Sequence, residues 1–379
     1  MEKLIPFNKP YLSGKETEYI KQAAEALKLS GDGMFTKKCQ QFFEEKYGFL
    51  KTLLTTSCTD ALEMAALLAN VQPGDEIIIP SFTFVSTANA FVLRGAKIVF
   101  ADVELQTGNI NPVDIEKLIN PKTRAIVPVH YAGVACDMDK INAIAQKHNL
   151  AIIEDAAQAV DSFYKGKPLG SFGQMAAFSF HETKNIISGE GGMIVINEDK
   201  LISRAEVIRE KGTNRSQFFR GEVDKYGWVD IGSSFLPSEI IAAFLYAQLE
   251  QVKDIQEKRI SLWGLYYELL SELSDKNKIK LPYIPGYATN NAHMFYIVCN
   301  DLNERTALTK YLKKNNITAV FHYQSLHNSP FFKDKHDGRQ LPVTDQLSDT
   351  LLRLPLFYEL RNEQVIFIAQ KIKEFYTYQ

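Results

Sequence analysis

Ala151-Ile152-Ile153-Glu154-Asp155-Ala156-Ala157-Gln158 opens as an apolar run and closes on two acids and three small or amide residues. Residues 151–154 have the length and composition of a strand buried on both faces, which needs no polar alternation. Similar runs recur along the chain at 52–55, 76–80, 97–101, 125–129, 175–180 and 192–196. Helix-length segments lie between most of them, at 59–70, 85–94, 112–119 and 138–148. The first carries Leu62, Ala65, Ala66 and Ala69 in one apolar stripe. This alternation predicts an α/β domain layered around a mostly parallel sheet. In such sheets ligands bind outside the carboxyl ends of the strands, which is where Glu154 and Asp155 fall.

The tail has a different rhythm. Ile241, Phe244, Leu245, Leu249 and Val252 form a helical stripe, and the charged run KDIQEKR after it reads as a continuation of that helix. Single strand-like runs at 294–298 and 318–321 then sit between helices at 303–315 and 363–376. We expect a large α/β domain over 1–250 and a smaller α+β domain over 251–379.

Composition narrows the function. The chain has 379 residues, 45% hydrophobic and 23% charged, as in an ordinary globular protein. A net charge of -2 recommends neither nucleic acid nor an anionic membrane as partner. No run approaches the ~18 apolar residues of a membrane helix, and the opening MEKLIPFNKP has no signal-like apolar core, so a cytoplasmic location is expected. Cys39, Cys58, Cys136 and Cys299 are too far apart in sequence to suggest a disulfide framework or zinc site. The seven histidines are scattered, and no metal is expected. The Gly-rich dinucleotide and P-loop patterns and the G-x-S-x-G elbow are all missing.

Three segments carry the chemistry. Thr55-Thr56-Ser57-Cys58-Thr59-Asp60 joins a strand to a helix, whose free N-terminal amides suit a phosphate; an ordinary cap by Ser57 or Thr59 is the plainer reading. Asp155 or its neighbour Glu154 ends a buried strand and needs a cationic partner, though a helix cap or structural ion pair would also explain an acid there. Ser179-Phe180-His181-Glu182-Thr183-Lys184 leaves another buried strand, and Gly189-Glu190-Gly191-Gly192 returns the chain to the next. A lysine so placed loses hydration and becomes a nucleophilic amine; alone, it is more simply a surface loop residue. Read together, a phosphate cradle, an anion and an amine at the strand ends of one sheet are what pyridoxal 5'-phosphate requires.

At DAAQ (155–158), SFHETK (179–184) and GEGG (189–192) the sequence resembles the DegT/DnrJ/EryC1/StrS family of sugar-nucleotide aminotransferases. The likeness runs from IPFNKPYLSGKE through SGDGMFTKKCQQFFEEKYG, PGDEIIIPSFTFVSTANAF and VHYAG to HYQSLH. The stretch 228–250 is similar to the branch that converts dTDP-4-oxo-6-deoxyglucose into dTDP-4-amino-4,6-dideoxygalactose. The resemblance implies the type I, aspartate-aminotransferase-like fold and a homodimer with shared active sites. It gives Lys184 the role of the lysine bonded to the cofactor and Asp155 that of the carboxylate facing the pyridine nitrogen. Gln158 stands beside the phenolic oxygen, Phe84 over the ring, and Cys58, Thr59 and Ser179 at the phosphate. Where much of the family has an asparagine reaching the neighbouring phosphate, this chain has Ser234; Ser233 is the alternative. His322, Tyr323 and His327 match a late motif near the substrate. Arg209, Lys211, Arg215, Arg220 and Lys225 suggest either a loop reaching over a site, this chain's or its partner's, or a solvated charged loop.

The implied reaction moves an amino group from L-glutamate to C4 of a dTDP-keto-sugar for surface polysaccharide (O-antigen or other lipopolysaccharide) biosynthesis. The gluco epimer and a 3-amino product are alternatives. Family dehydratases carry histidine where this chain has Lys184, which favours transamination. A cofactor-binding regulator without turnover has less need of both Lys184 and Asp155. A desulfurase needs a mobile cysteine, for which Cys58 is badly placed.

Overall fold

Seven strands pair into one sheet because their side chains are buried on both faces. The structure, a computed structural model, describes residues 4–377, so Met1, Glu2 and Lys3 of the opening segment lie outside it. The strands are β1 (Lys51–Thr55), β2 (Glu76–Pro80), β3 (Lys97–Ala101), β4 (Thr123–Ile126), β5 (Ala151–Asp155), then, past a short hairpin of β6 (Phe163–Tyr164) and β7 (Lys167–Pro168), β8 (Met175–Ser179) and β9 (Gly192–Ile196). Their spatial order is β1-β9-β8-β5-β4-β2-β3. All point one way except β9, which pairs antiparallel with both β1 and β8. Neighbouring residues on a strand serve opposite faces. Leu54, Ile152 and Phe178 join one core cluster, Leu53, Ile153 and Ala177 the other.

Helices α1 (Glu16–Glu25) and α2 (Met34–Tyr47) precede the sheet; α3 (Cys58–Leu68), α4 (Val85–Val92), α5 (Pro112–Leu118) and α6 (Met138–His148) alternate with its strands. After β9 come α7 (Asp199–Arg209), the short α8 (Arg215–Phe219) and α9 (Glu239–Leu249). The boundaries differ from expectation for local reasons. Asn70 turns left-handed at φ 57, which stops α3 at Leu68. Pro128 has no amide hydrogen to donate, so regular β4 ends at Ile126, although Val129 still bridges Asp155. The stripe of α9 does not run on unbroken. Glu250 is drawn to the Lys15 amine (3.0 Å) and the Tyr19 hydroxyl (2.8 Å), and a new helix, α10 (Val252–Asp275), starts two residues later.

The tail builds a second sheet, β10 (Phe295–Val298), β12 (Leu351–Leu354) and β11 (Val320–Phe321), in the order β10-β12-β11 and fully antiparallel. Helices α10, α11 (Leu302–Lys314) and α13 (Asn362–Thr377) cover it with Leu262, Tyr266, Leu308, Leu312, Ile368 and Ile372; α12 (Pro342–Thr350) leads directly into β12. We propose the gap between α9 and α10 as the boundary of two units. The N-terminal segment straps onto this tail, where Ile5 bridges Ile317. Among the described residues, no helix is long and apolar enough to cross a membrane.

Candidate active site

The carboxyl ends of β5 and β8 and the first turn of α3 open onto one cavity of about 710 Å³. Its walls include Cys58, Thr59, Phe84, Asp155, Gln158, Ser179, Lys184, His322 and Tyr323, which brings together nine of the residues read from the sequence.

The two acids ending β5 part company because they point to opposite faces. Glu154 is buried and structural. Its oxygens accept from His130 Nε2 (3.0 Å) and from the amides of Gly170, Phe172 and Gly173 (2.8, 2.7 and 2.8 Å), which fixes the loop before β8. Asp155 faces the cavity. It accepts from Thr87 Oγ1 (2.7 Å) and the Ala157 amide (3.1 Å). Since Thr87 spends its proton on Asp155, Thr83 must donate to Thr87 across their 2.8 Å contact. Burial pushes the Asp155 carboxyl above its ordinary range, while Thr87, Ala157 and Lys184 oppose the shift.

Lys184 sits in the connection between β8 and β9. Hydrogen bonds from Phe180 N to Gly191 O (2.8 Å), Glu182 N to Gly189 O (2.9 Å) and Ser188 N to Phe180 O (2.7 Å) make this connection a pinned hairpin, with Gly189 at φ 80. Lys184 is half-buried, and loss of hydration lowers the pKa of its amine; Cys58 and Asp155 act the other way. The same burial keeps Cys58 a thiol, which disfavours the desulfurase chemistry.

Ser57 caps α3 by accepting from the Asp60 amide (3.1 Å), and Cys58 and Thr59, whose amides begin the helix without partners in it, line the cavity. Thr59 Oγ1 donates to Ser86 Oγ (2.8 Å). Gly192 passes so close beneath this turn that a Cβ there would lie 2.3 Å from the Ser57 carbonyl and 2.4 Å from the Cys58 nitrogen. Gln158 is oriented at both ends: Oε1 accepts from the Ala132 amide (2.6 Å) and Nε2 donates to Tyr323 (3.1 Å). Phe84 is 56% exposed, an apolar face open to the cavity. His322 is buried and paired with the Tyr131 hydroxyl at 3.1 Å.

His327 is placed apart from the other late-motif residues. It does not line this chain's cavity; it is buried against Ser81 Oγ (2.8 Å) and lies 3.4 Å from Asp345, the placement that the packing reading of the late motif expects. In the basic segment Lys211, Arg220 and Lys225 are exposed, as a solvated charged loop would have them, while its arginines pair with acids of the same chain. Arg209 is buried and grips Asp32 with two bonds of 2.7 and 2.8 Å. Arg215 pairs with Glu210, and Arg220 with Glu206 and Glu222. The five cations of this segment stand outside this chain's cavity, as do the exposed Ser233 and Ser234.

Several cavity residues were not foreseen. Thr83 and Thr87 lie in the quoted SFTFVST segment, Thr83 just before α4 and Thr87 in its first turn, and their spacing of four was the available signal. His293, Arg353 and Asn8 come from distant segments with no local pattern. His293 Nδ1 lies 3.0 Å from Asn185 Oδ1 and so carries the hydrogen, because Asn185 Nδ2 already donates to Gln256 and Asn291. Asn8 donates to the Glu182 carbonyl (3.1 Å), tying the N-terminal strap to the Lys184 loop.

The family model for the DegT/DnrJ/EryC1/StrS aminotransferases matches residues 10–373. GDP-perosamine synthase of Escherichia coli O157:H7 is 33% identical over 376 residues, 99% of each chain. Among solved structures, the aminotransferase TlmJ from Streptoalloteichus hindustanus superposes with a TM-score of 0.91 at 25% identity, over 99% of this chain and 100% of its own. Helicobacter pylori PseC, an aminotransferase of pseudoaminic acid biosynthesis, gives 0.91 at 25% over all of both chains. The fold is thus the type I fold of pyridoxal-phosphate-dependent aminotransferases. With a family model spanning nearly the whole sequence and a relative matched end to end, the chain belongs to the DegT/DnrJ/EryC1/StrS family and is a pyridoxal-phosphate-dependent sugar aminotransferase.

Proposed function

We propose that the protein transfers an amino group from L-glutamate to C4 of dTDP-4-oxo-6-deoxyglucose, giving the galacto-configured dTDP-4-amino-4,6-dideoxyhexose for surface polysaccharide biosynthesis. The observation that carries this reading is the meeting of the Lys184 amine and the Asp155 carboxylate on one cavity. The choice of sugar rests on the resemblance of residues 228–250. A GDP-sugar is the second reading, favoured by the name of the E. coli relative.

The residues present suit the cofactor. Asp155 is a buried carboxylate whose direct hydrogen bonds come from a hydroxyl and an amide; a protonated ring nitrogen would supply the missing cation. The α3 N-terminus and the bare Gly192 beneath it suit a phosphate. When bound, pyridoxal phosphate supplies an aldehyde for the donor's nitrogen and a ring that draws electrons from the donor's α-carbon.

The chain's own residues do the rest. Asp155 holds the proton on the ring nitrogen, with Thr87 and Thr83 fixing its orientation. Cys58, Thr59 and Ser179 would hold the phosphate, Phe84 would cover the ring, and Gln158 would serve its phenolic oxygen. Lys184 takes the proton from the donor's α-carbon and, in the second half of the cycle, delivers one to C4 of the sugar. Its lowered pKa suits both duties. His322 and Tyr323 face the substrate side. The apolar strip of Phe219, Trp228, Val229 and Ile231, exposed by 68%, 85%, 58% and 46%, suits a second copy of the chain. The protein would then be a cytoplasmic homodimer, with Ser234 or Ser233 reaching the neighbouring phosphate.

Incubation with dTDP-4-oxo-6-deoxyglucose and glutamate, followed by NMR of the product, tests the reading. An amine at C4 with a small H3–H4 coupling is expected. Turnover of the GDP-linked ketosugar alone, or amination at C3, would replace it.

A further inference from the structure

One guanidinium stands on the cavity wall: Arg353, at the centre of β12. That strand is the middle one of its sheet, with Arg353 paired in register to Tyr296 on one side and Val320 on the other, so its backbone is held from both edges. The side chain has no carboxylate partner among the described residues. Nε is buried without any hydrogen bond. One terminal nitrogen makes a long 3.4 Å bond to the Phe321 carbonyl, and the Phe7 ring lies over the guanidinium at 4.6 Å. Burial lowers its pKa, which the nearby Tyr131 and Tyr323 oppose.

The contrast with the other enclosed arginines is informative. Arg209 is matched by Asp32, Arg204 by Asp230, and Arg259 by the carbonyls of Ala292 and His293. Nε is buried without a partner in Arg94, Arg209 and Arg215 too, so what sets Arg353 apart is its place on the cavity wall with no carboxylate at its guanidinium, a costly arrangement unless an anion arrives to meet it. The aminotransferase reaction brings two such anions, the donor's carboxylate and the sugar nucleotide's diphosphate. The carbon that carries the donor's amine also carries its carboxylate, so the receptor must share the cavity with the Lys184 amine. The diphosphate is separated from C4 of a hexose by the width of the ring and belongs nearer the mouth. Arg353 faces the same cavity as Lys184, and the flanking Leu354, Leu356 and Met294 present little else that could bind an anion.

We propose that Arg353 is the receptor for the carboxylate of the amino donor. The inference rests on the aminotransferase reading above and adds the residue that recognises the donor rather than the sugar. A planar guanidinium offers a carboxylate two parallel bonds, and a lysine ammonium cannot reproduce that fork.

The test uses holoenzyme loaded with cofactor, as wild type and as R353M, R353K and R353Q. Maleate, an unreactive dicarboxylate, is titrated against the visible spectrum. The expected result is affinity lost by roughly 10- to 100-fold in R353M and R353Q and partly restored in R353K. Affinity for dTDP or GDP, whichever the wild type binds, should stay within about twofold. In single-turnover reaction with glutamate, the half-saturating concentration should rise far more than the limiting rate falls. Equal maleate affinity in all variants would overturn the proposal, as would a nucleotide affinity that falls in step with maleate, which would make Arg353 a diphosphate receptor. If R353M does not hold cofactor, R353K and R353Q decide by the same criteria. A wild type that ignores glutamate would overturn the donor reading and this inference with it, whereas a reactive wild type matched by R353M overturns this inference alone.

Discussion

Lys184 works because the fold removes water from an amine without giving it a fixed anion. Burial lowers its pKa below that of an ordinary lysine, and the opposing influence of Cys58 and Asp155 does not cancel the shift. The neutral amine is the form that bonds an aldehyde, so cofactor reloading into stripped protein should accelerate as pH rises. The midpoint should lie below that of an ordinary lysine, and stopped-flow absorbance after mixing with pyridoxal phosphate would measure it. A midpoint at or above 10.5 would contradict the burial argument. Lys184, Asp155 and Gln158 were legible because each ends or follows a short motif at a strand end. Arg353 and His293 were not, because they enter the cavity from a second sheet that no local pattern aligns with the first. The late motif divides in the same way: Tyr323 lines the cavity, while His327, four residues on, turns toward Ser81 and Asp345.

At the level of elements, the site depends on β9 running against its neighbours. The glycine-rich return places Gly192 in register with both Ser179 and Thr55, directly under the first turn of α3. A methyl group there meets backbone rather than a yielding side chain. Gly192→Ala should therefore weaken pyridoxal phosphate by at least about tenfold, or roughly 1.4 kcal/mol, while costing about 1–3 kcal/mol of stability. Equilibrium dialysis and thermal unfolding check the two numbers separately; unchanged cofactor affinity would detach Gly192 from the phosphate cradle. The strands of the large sheet were readable because burial on both faces leaves unbroken apolar runs. By contrast, α2 is capped by Glu239, whose carboxylate takes the amides of Gly33, Phe35 and Thr36 from two hundred residues away. β12 follows α12 with no turn residue to announce it. Neither feature leaves a local mark.

For the whole molecule, the segment between α7 and α9 adds to its charges an apolar strip that the sequence reading did not single out. Arg215 and Arg220 are spent on acids of the same chain, and beside its exposed charges the apolar strip presents Trp228 foremost. Trp228→Glu should shift the protein toward monomer, weakening association by roughly 30-fold or more, as for a central aromatic anchor. Sedimentation velocity over a concentration series would measure this, and an unchanged dimer would move the interface elsewhere. Cavity, cradle and interface all presuppose that the cofactor is held by one amine, and the most direct test is borohydride reduction of the loaded protein followed by mass spectrometry of its peptides. The reduced cofactor should be found on Lys184 and on no other lysine, and Lys184→Ala should stay folded, carry no label and lose turnover. A label on a different lysine, or full activity in Lys184→Ala, would contradict the central claim.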